Sequence, residues 1–333
     1  MKQLENKKTY LITGAAGFIG FFLAKSLLEQ GNTVIGFDNL NDYYEVSLKK
    51  NRLKELELYE KFTFIKGDLS VEQEVFYVFE TYKPHIVVNL AAQAGVRYSI
   101  DNPKAYMESN VMGFFHILEA CRKYPVEHLV FASSSSVYGE NDKIPFSVED
   151  KVDYPVSLYA ATKKSNELMA HAYSKLYKIP VTGLRFFTVY GPMGRPDMAY
   201  FKFAKKIMAG QEIEIYNNGE MYRDFTYIDD IVTGICNLLC CPPKENEKGV
   251  AYRIYNIGNN QPEKLMDFIS VLEKSLGREA KKVFLPMQPG DVPRTYADVE
   301  DLIRDFDFKP STTIEEGLGA FAQWFKEYYK DVI

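Results

Sequence analysis

"TYLITGAAGFIG", Thr9 to Gly20, is the stretch on which the fold turns, read together with "TVIGFD", Thr33 to Asp38. Gly14, Gly17 and Gly20 stand three residues apart directly after an apolar run, and they lead into "FFLAKSLLEQG", which has helical periodicity. Glycine at a strand-to-helix turn permits a tight reversal and lets the backbone approach a pyrophosphate, whose charge is stabilised at the helix N-terminus. Asp38 closes the second run about 20 residues further on, the spacing at which a carboxylate meets an adenosine ribose. That carboxylate accepts hydrogen bonds from a free ribose and repels a 2′-phosphate, so NAD is expected over NADP. The alternative is that the glycines serve only to pack helix on strand.

Working outward, "FTFIKGD", "HIVVNLA", "HLVFASS" and "PVTGLRFF" continue the series of short apolar runs separated by helical segments. Runs hydrophobic on both faces and alternating with helices predict a parallel sheet covered on each side. The fold class is therefore α/β, a doubly wound parallel sheet of Rossmann type with a smaller mixed α/β lobe. The first domain is expected to comprise residues 1–183 plus about 228–257, and the second lobe about 184–227 plus 258–333. Within the second lobe "IEIYNNG" and "YRDFTYI" read as partner strands, and "LMDFISVLEKSLG" and "TIEEGLGAFAQWFKEYY" as amphipathic helices.

Charge and composition exclude other classes. A net charge of −5 offers no general attraction to nucleic acid or to an anionic membrane surface, so any bound anion must be gripped locally. The basic "MKQLENKK" is followed by an apolar stretch too short and too rich in glycine for an export or membrane signal, and a cytoplasmic protein is expected. Cys121, Cys236, Cys240 and Cys241 match no zinc spacing and read as buried thiols, and the four histidines are scattered, so no metal is expected.

"SLYAATKKSNELMAHAY" places Tyr159 and Lys163 four residues apart, on one face of a helix. A phenol with a free pKa of about 10 acts as a base near neutrality only where positive charge stabilises its phenolate, and Lys163 supplies such a charge. "HLVFASSSSVYG" ends a predicted strand in four serines, at the edge where ligands bind in doubly wound sheets. A hydroxyl from this run can bridge a substrate oxygen and Tyr159; the alternative is a polar strand end capping the next turn.

With these motifs, and with "GDL" at Gly67 to Leu69, "NLAAQ" at Asn89 to Gln93 and "YRDFTYIDD", the chain resembles the extended short-chain dehydrogenase/reductase family over nearly its whole length. The resemblance implies that Tyr159 is the base, Lys163 binds the nicotinamide ribose and Ser134 completes the site. It implies cofactor contacts from Gly14, Gly17, Phe18, Ile19, Gly20, Asp38 and Asn39, from Asp68 and Leu69 at the adenine, and from Leu90, Ala91, Ala92 and Gln93. Asn110 matches a residue near the active-site lysine.

Within that family, sugar-nucleotide dehydratases carry an acidic pair after the catalytic hydroxyl, because elimination of water needs a general acid as well as a base. Ser135 and Ser136 occupy those positions here, and the related decarboxylases usually show an acid at the second. Reversible oxidation at one carbon needs no further acid. "NDYYEVSLKKNRL", "AAQAGVRYSIDNP" and "RFFTVYGPMGRPDMAYFKF" are similar to segments of UDP-glucuronate 4-epimerases. In that light Arg195, with Thr188 and Ser136 adding hydroxyls, is expected to clamp the carboxylate of a UDP-sugar. A diphosphate contact or a salt bridge to Asp197 is the alternative for Arg195, and Arg97 is a rival carboxylate ligand. Met193 stands where the group usually has tryptophan. Arg223 and Asp291 correspond to residues at the nucleotide diphosphate and ribose, Arg294 stays unassigned, and a homodimer is implied. The competing functions are UDP-glucose/UDP-galactose 4-epimerase, UDP-glucuronate decarboxylase and a non-catalytic NAD-binding protein.

Overall fold

Each apolar run of the first half becomes a strand in the computed structural model, which describes residues 7–288 and 292–330. In chain order the elements are β1 (Thr9–Thr13), α1 (Phe18–Glu29), β2 (Thr33–Asp38), α2 (Val46–Leu56), β3 (Phe62–Lys66), α3 (Glu72–Tyr82) and β4 (Ile86–Asn89). Two short helices, α4 (Tyr98–Asp101) and α5 (Pro103–Tyr106), lead through a π-helical turn, Met107–Met112, into α6 (Gly113–Lys123). Then come β5 (His128–Ser134), α7 (Leu158–Tyr177), β6 (Val181–Phe186), β7 (Thr188–Tyr190), α8 (Ala199–Met208), β8 (Glu212–Ile215), β9 (Tyr222–Tyr227) and α9 (Ile228–Leu239). The last are β10 (Tyr252–Ile257), β11 (Pro262–Lys264), α10 (Leu265–Leu276), β12 (Lys281–Phe284), α11 (Glu300–Phe306) and α12 (Ile314–Tyr328).

Seven strands form one parallel sheet in the order β10-β6-β5-β4-β1-β2-β3. The order reverses between β1 and β4, and such a switch point opens a crevice beyond the carboxyl ends of the strands. Register there is pinned by Thr13, which lies opposite both Phe37 and Asn89 and donates its hydroxyl to Asn89 Oδ1 at 2.7 Å. Alternate side chains serve opposite faces: Tyr10, Ile12 and Val34 pack on α1 and α9, while Leu11, Ile35 and Val87 pack on α3 and α6. Each large apolar side chain buried in this way contributes roughly 1.5–3 kcal/mol.

A second apolar cluster gathers α8, α10 and α12 around Phe201, Phe268, Phe321 and Phe325. It lies beside a three-stranded sheet, β11-β9-β7, and a two-stranded one, β12-β8. Here the expected pairing of "IEIYNNG" with "YRDFTYI" is corrected. β8 pairs with β12 and β9 with β7 and β11. The turn between them holds Asn217 and Asn218 with φ of 50° each, and it sends the chain from the half-exposed β8 to a different sheet instead of back along it. The cysteine expectation is corrected in part: Cys121 and Cys236 are buried, but Cys240 and Cys241 are exposed, because α9 ends at Leu239 and releases them to the surface. No helix among the described residues is long and apolar enough to cross a membrane.

Candidate active site

A cavity of about 490 Å³ opens at the carboxyl end of the parallel sheet. Its floor is the turn between β1 and α1. Gly14 adopts a left-handed φ of +72°, and a Cβ on Gly20 would lie 2.1 Å from the Gly14 carbonyl oxygen, so side chains are excluded where the turn folds on the helix. The first turn of α1 has neither a capping side chain nor an acidic residue, which leaves its N–H groups and positive dipole end for an anion. This donor set fits the pyrophosphate of a dinucleotide.

Asp38 sits at the end of β2 and accepts hydrogen bonds from Ala16 N at 3.1 Å and Leu40 N at 2.8 Å. Burial pushes its carboxyl pKa up, against the pull of those amides and of Lys49. Gly14, Gly17, Phe18, Ile19, Gly20, Asp38, Asn39, Asp68, Leu69, Leu90, Ala91, Ala92 and Gln93 all line the cavity. Asn39 holds Asp68 through a 2.8 Å hydrogen bond.

Ser157, two residues before Tyr159, caps α7 through its side chain and so fixes the helix start at Leu158. Tyr159, Lys163, Ser134, Ser135 and Ser136 line the same cavity. The phenol of Tyr159 is pushed above its ordinary range by burial, eased by a hydrogen bond with Ser134 and by the charge of Arg195. Lys163 is only 4% exposed, and burial together with Arg195 pushes its ammonium down to about 8. It donates to the Ala132 carbonyl at 2.8 Å and lies 5.9 Å from the Tyr159 ring centre. Ser136 donates to the Ser134 hydroxyl through both its amide and its own hydroxyl.

Asn110 does not line the cavity. Its amide accepts from Gln93 N at 2.8 Å and donates to Gln93 O and Thr162 Oγ1, while Asn166 donates to its own carbonyl. The π-helical turn that carries it thus joins the end of β4 to α7.

Thr188, Arg195 and Arg223 also face the cavity. Of the readings open for Arg195, the ion pair is the one formed: Nε and Nη2 meet the Asp197 carboxylate at 3.0 and 2.5 Å. Nη1 takes no part in that pair. Although burial opposes ionisation, Arg195 holds the Asp197 carboxyl below the usual carboxylate range, so Asp197 is an anion and no proton donor. Arg97 is not in the cavity wall; it is exposed, with its guanidinium 5.3 Å from the Tyr216 ring centre, because the helical turn at Arg97 directs it outward. Arg294 lies over Tyr222 at 4.4 Å. Asp291 lies outside the described residues.

Sequence reasoning passed over Asn41, Tyr43, Tyr44 and Lys49, which line the cavity, and Arg52 behind it. A signal was present: α2 buries Leu48, Lys49, Arg52, Leu53 and Leu56, so two cations stand within its apolar stripe. Equally unforeseen is the buried network under the serines, in which Arg185 grips Glu167 at 2.9 and 3.0 Å while Glu167 accepts from Ser133 and Arg185 donates to Tyr138. Among the described residues, no cluster of three His, Cys, Asp or Glu side chains could hold a metal ion.

The sequence profile of the NAD dependent epimerase/dehydratase family matches residues 10–258. The chain is similar to Protein CapI of Staphylococcus aureus, 56% identical over 96% of this chain and 99% of that one. It is also similar to a probable UDP-glucuronate 4-epimerase of Rhizobium meliloti, 47% identical over 96% of this chain and 98% of the relative. Among solved structures it resembles the UDP-glucuronic acid 4-epimerase of Bacillus cereus in complex with UDP-glucuronic acid and NAD. There the TM-score is 0.88 at 35% identity, over 96% of this chain and all of that one.

Proposed function

The chain belongs to the NAD-dependent epimerase/dehydratase family, and we propose that it interconverts UDP-glucuronate and UDP-galacturonate by reversible oxidation at C4 of the sugar. The observation that carries this reading is the convergence of Tyr159, Lys163 and Ser134 with Arg195 in one cavity above the glycine turn.

The turn from Gly14 to Gly20 would hold the NAD pyrophosphate, Asp38 the adenosine ribose, Asp68 and Leu69 the adenine, and Leu90 to Gln93 the nicotinamide half. When bound, NAD supplies the acceptor, and then the donor, of the C4 hydride. Tyr159 takes the proton of the 4-hydroxyl as that carbon is oxidised, and returns it to the same oxygen after the 4-keto sugar has turned over. Lys163 stabilises the phenolate that stands before the proton is taken and again after it is returned, and Ser134 fixes the oxygen that gains and loses the proton. Proton and hydride are both restored, so there is no net redox change.

Arg195 would present Nη1 to the uronate carboxylate, with Thr188 and Ser136 as hydroxyl donors, while Asp197 keeps the other edge. A carboxylate held so is kept from the geometry in which a β-keto acid loses carbon dioxide. Elimination or decarboxylation assisted by an acid finds no candidate in Asp197, which is ionised and doubly bonded to Arg195. Arg223 would meet the diphosphate. A homodimer accords with exposed apolar side chains on the helices flanking the sheet, Met107, Met112, Leu168 and Leu176.

The test is to incubate the protein with UDP-glucuronate without added reductant and follow the sugar protons by NMR. Appearance of UDP-galacturonate without release of carbon dioxide is the expected result. Inert UDP-glucuronate alongside conversion of UDP-glucose to UDP-galactose would overturn the carboxylate assignment and leave a neutral-sugar epimerase.

A further inference from the structure

Arg52, on α2, is fully buried and makes no ion pair among the described residues. A desolvated guanidinium with no carboxylate in direct contact, and only the charge of Asp38 at longer range, is costly, and an apolar side chain of similar size would avoid that cost. Its hydrogen bonds run instead to backbone carbonyls of two separate loops and to one tyrosine hydroxyl. Nη1 donates to the Ala16 carbonyl at 2.8 Å, within the glycine turn, and to the Tyr44 hydroxyl at 2.9 Å. Nη2 donates to the carbonyls of Met193 and Gly194 at 2.5 and 3.2 Å, the two residues directly before Arg195. Nε is buried without a partner.

The same stretch of chain touches the Arg195 segment a second time. Tyr43, in the loop before α2, donates to Asp197 Oδ2 at 3.4 Å, and Asp197 in turn grips Arg195. "NDYYEVSLKKNRL" thus reaches the loop through its backbone and through the partner of its arginine. Met193 has a left-handed φ of 51°, a conformation that non-glycine residues hold only under outside constraint, and its carbonyl is one of those that Arg52 holds.

We propose that Arg52 is a positioning residue that ties the Arg195 loop to the cofactor turn, so that discrimination for a uronate depends on a side chain that does not itself line the cavity. This rests on the reading of Arg195 as the carboxylate ligand. A lysine cannot replace the arginine, because only the planar fork reaches carbonyls on two separate loops.

Arg52→Met and Arg52→Lys are made in a Tyr159→Phe background, where turnover does not disturb binding, and each protein is checked for folding and NAD content. Titration with UDP-glucuronate and with UDP-glucose should show the uronate weakened roughly tenfold by either substitution and the neutral sugar by less than about threefold. In an Arg195→Ala background the same substitutions should no longer alter that ratio. Equal losses on both sugars, or a ratio that still moves without Arg195, would overturn the proposal. Hydrogen exchange of residues 191–198 is measured on the same proteins and should be about tenfold faster in both variants, with the sheet amides unchanged. If the parent binds both sugars alike, the carboxylate reading has failed; the exchange result then decides the brace alone, and unchanged exchange would remove it.

Discussion

Replacing Lys163 by methionine removes a charge and keeps the length of the stem, and it should displace the pH dependence of turnover instead of merely lowering it. Burial holds the Tyr159 phenol above its ordinary range, so at neutral pH fewer than about one molecule in a thousand carries the phenolate unless positive charge intervenes. The Lys163 ammonium lies 5.9 Å from the ring centre. With the ring-centre distance standing for the separation of the charges and an effective dielectric of about 20, they interact by about 3 kcal/mol, which is about two pKa units. Phenolate is the active form, so loss of the cation raises the Tyr159 pKa and moves the acidic limb of kcat/KM up by about two pH units, or roughly a hundredfold loss near neutrality. The deficit should narrow in alkali, because Lys163 itself, pushed down to about 8 by burial and Arg195, is losing its charge there. The assay is epimerisation of UDP-glucuronate followed by proton NMR between about pH 6 and 10, with NAD content measured at each pH. A uniform loss with the limb unmoved would refute the electrostatic argument and leave Lys163 as a ribose ligand alone.

Arg195→Ala should weaken UDP-glucuronate by about 1.5–3 kcal/mol, roughly 10- to 150-fold, and UDP-glucose by a few fold at most; equal losses in steady-state KM would move Arg195 to the diphosphate. Gly20→Ala puts a methyl group 2.1 Å from the Gly14 carbonyl oxygen, an overpacking of about 1–3 kcal/mol, and should release NAD. Full NAD occupancy in the purified variant would contradict that. Glu167→Gln strips the buried Arg185 of its partner and should cost about 3–5 kcal/mol in denaturant titration. Burial opposes the Glu167 carboxylate, but Arg185 outweighs it and holds the pKa below the ordinary value. The stability it adds is therefore present above the unfolded pKa of about 4.3 and is lost as pH falls through the folded value. The gap between wild type and variant should close in acid, and a gap constant with pH would deny the linkage.

What the sequence discloses here is what short-range periodicity can carry. Apolar runs such as "TVIGFD" and glycines at fixed spacing name both a strand and the turn that follows it, and Tyr159 with Lys163 needs only the pitch of one helix. Long-range partners leave no such trace. Arg52 meets Met193 across 141 residues, and nothing local distinguishes it from the solvated lysines beside it except its place in an apolar stripe. The pairing of β8 with β12 closes only after the chain has run through β9, α9, β10, β11 and α10, whereas "NNG" between two strands invites a hairpin. Arg97 and Arg195 both read as candidate carboxylate ligands; the helical turn at the first sends it to the surface, while the loop before α8 places the second in the cavity wall.

The π-helical turn has a bearing on how this enzyme would be aligned or redesigned. Removing a single residue between Tyr106 and Gly113 would restore an uninterrupted α-helix, and any scoring by helix propensity or backbone regularity would favour the shortened chain. Because each helical residue advances about 100°, the repair would rotate Asn110 away from Gln93 and Thr162 and cut the connection between β4 and α7. A one-residue gap in this segment is thus to be weighted as a lesion of the active site, although it falls in a helix, leaves Tyr159, Lys163 and Ser134 in place and improves local geometry.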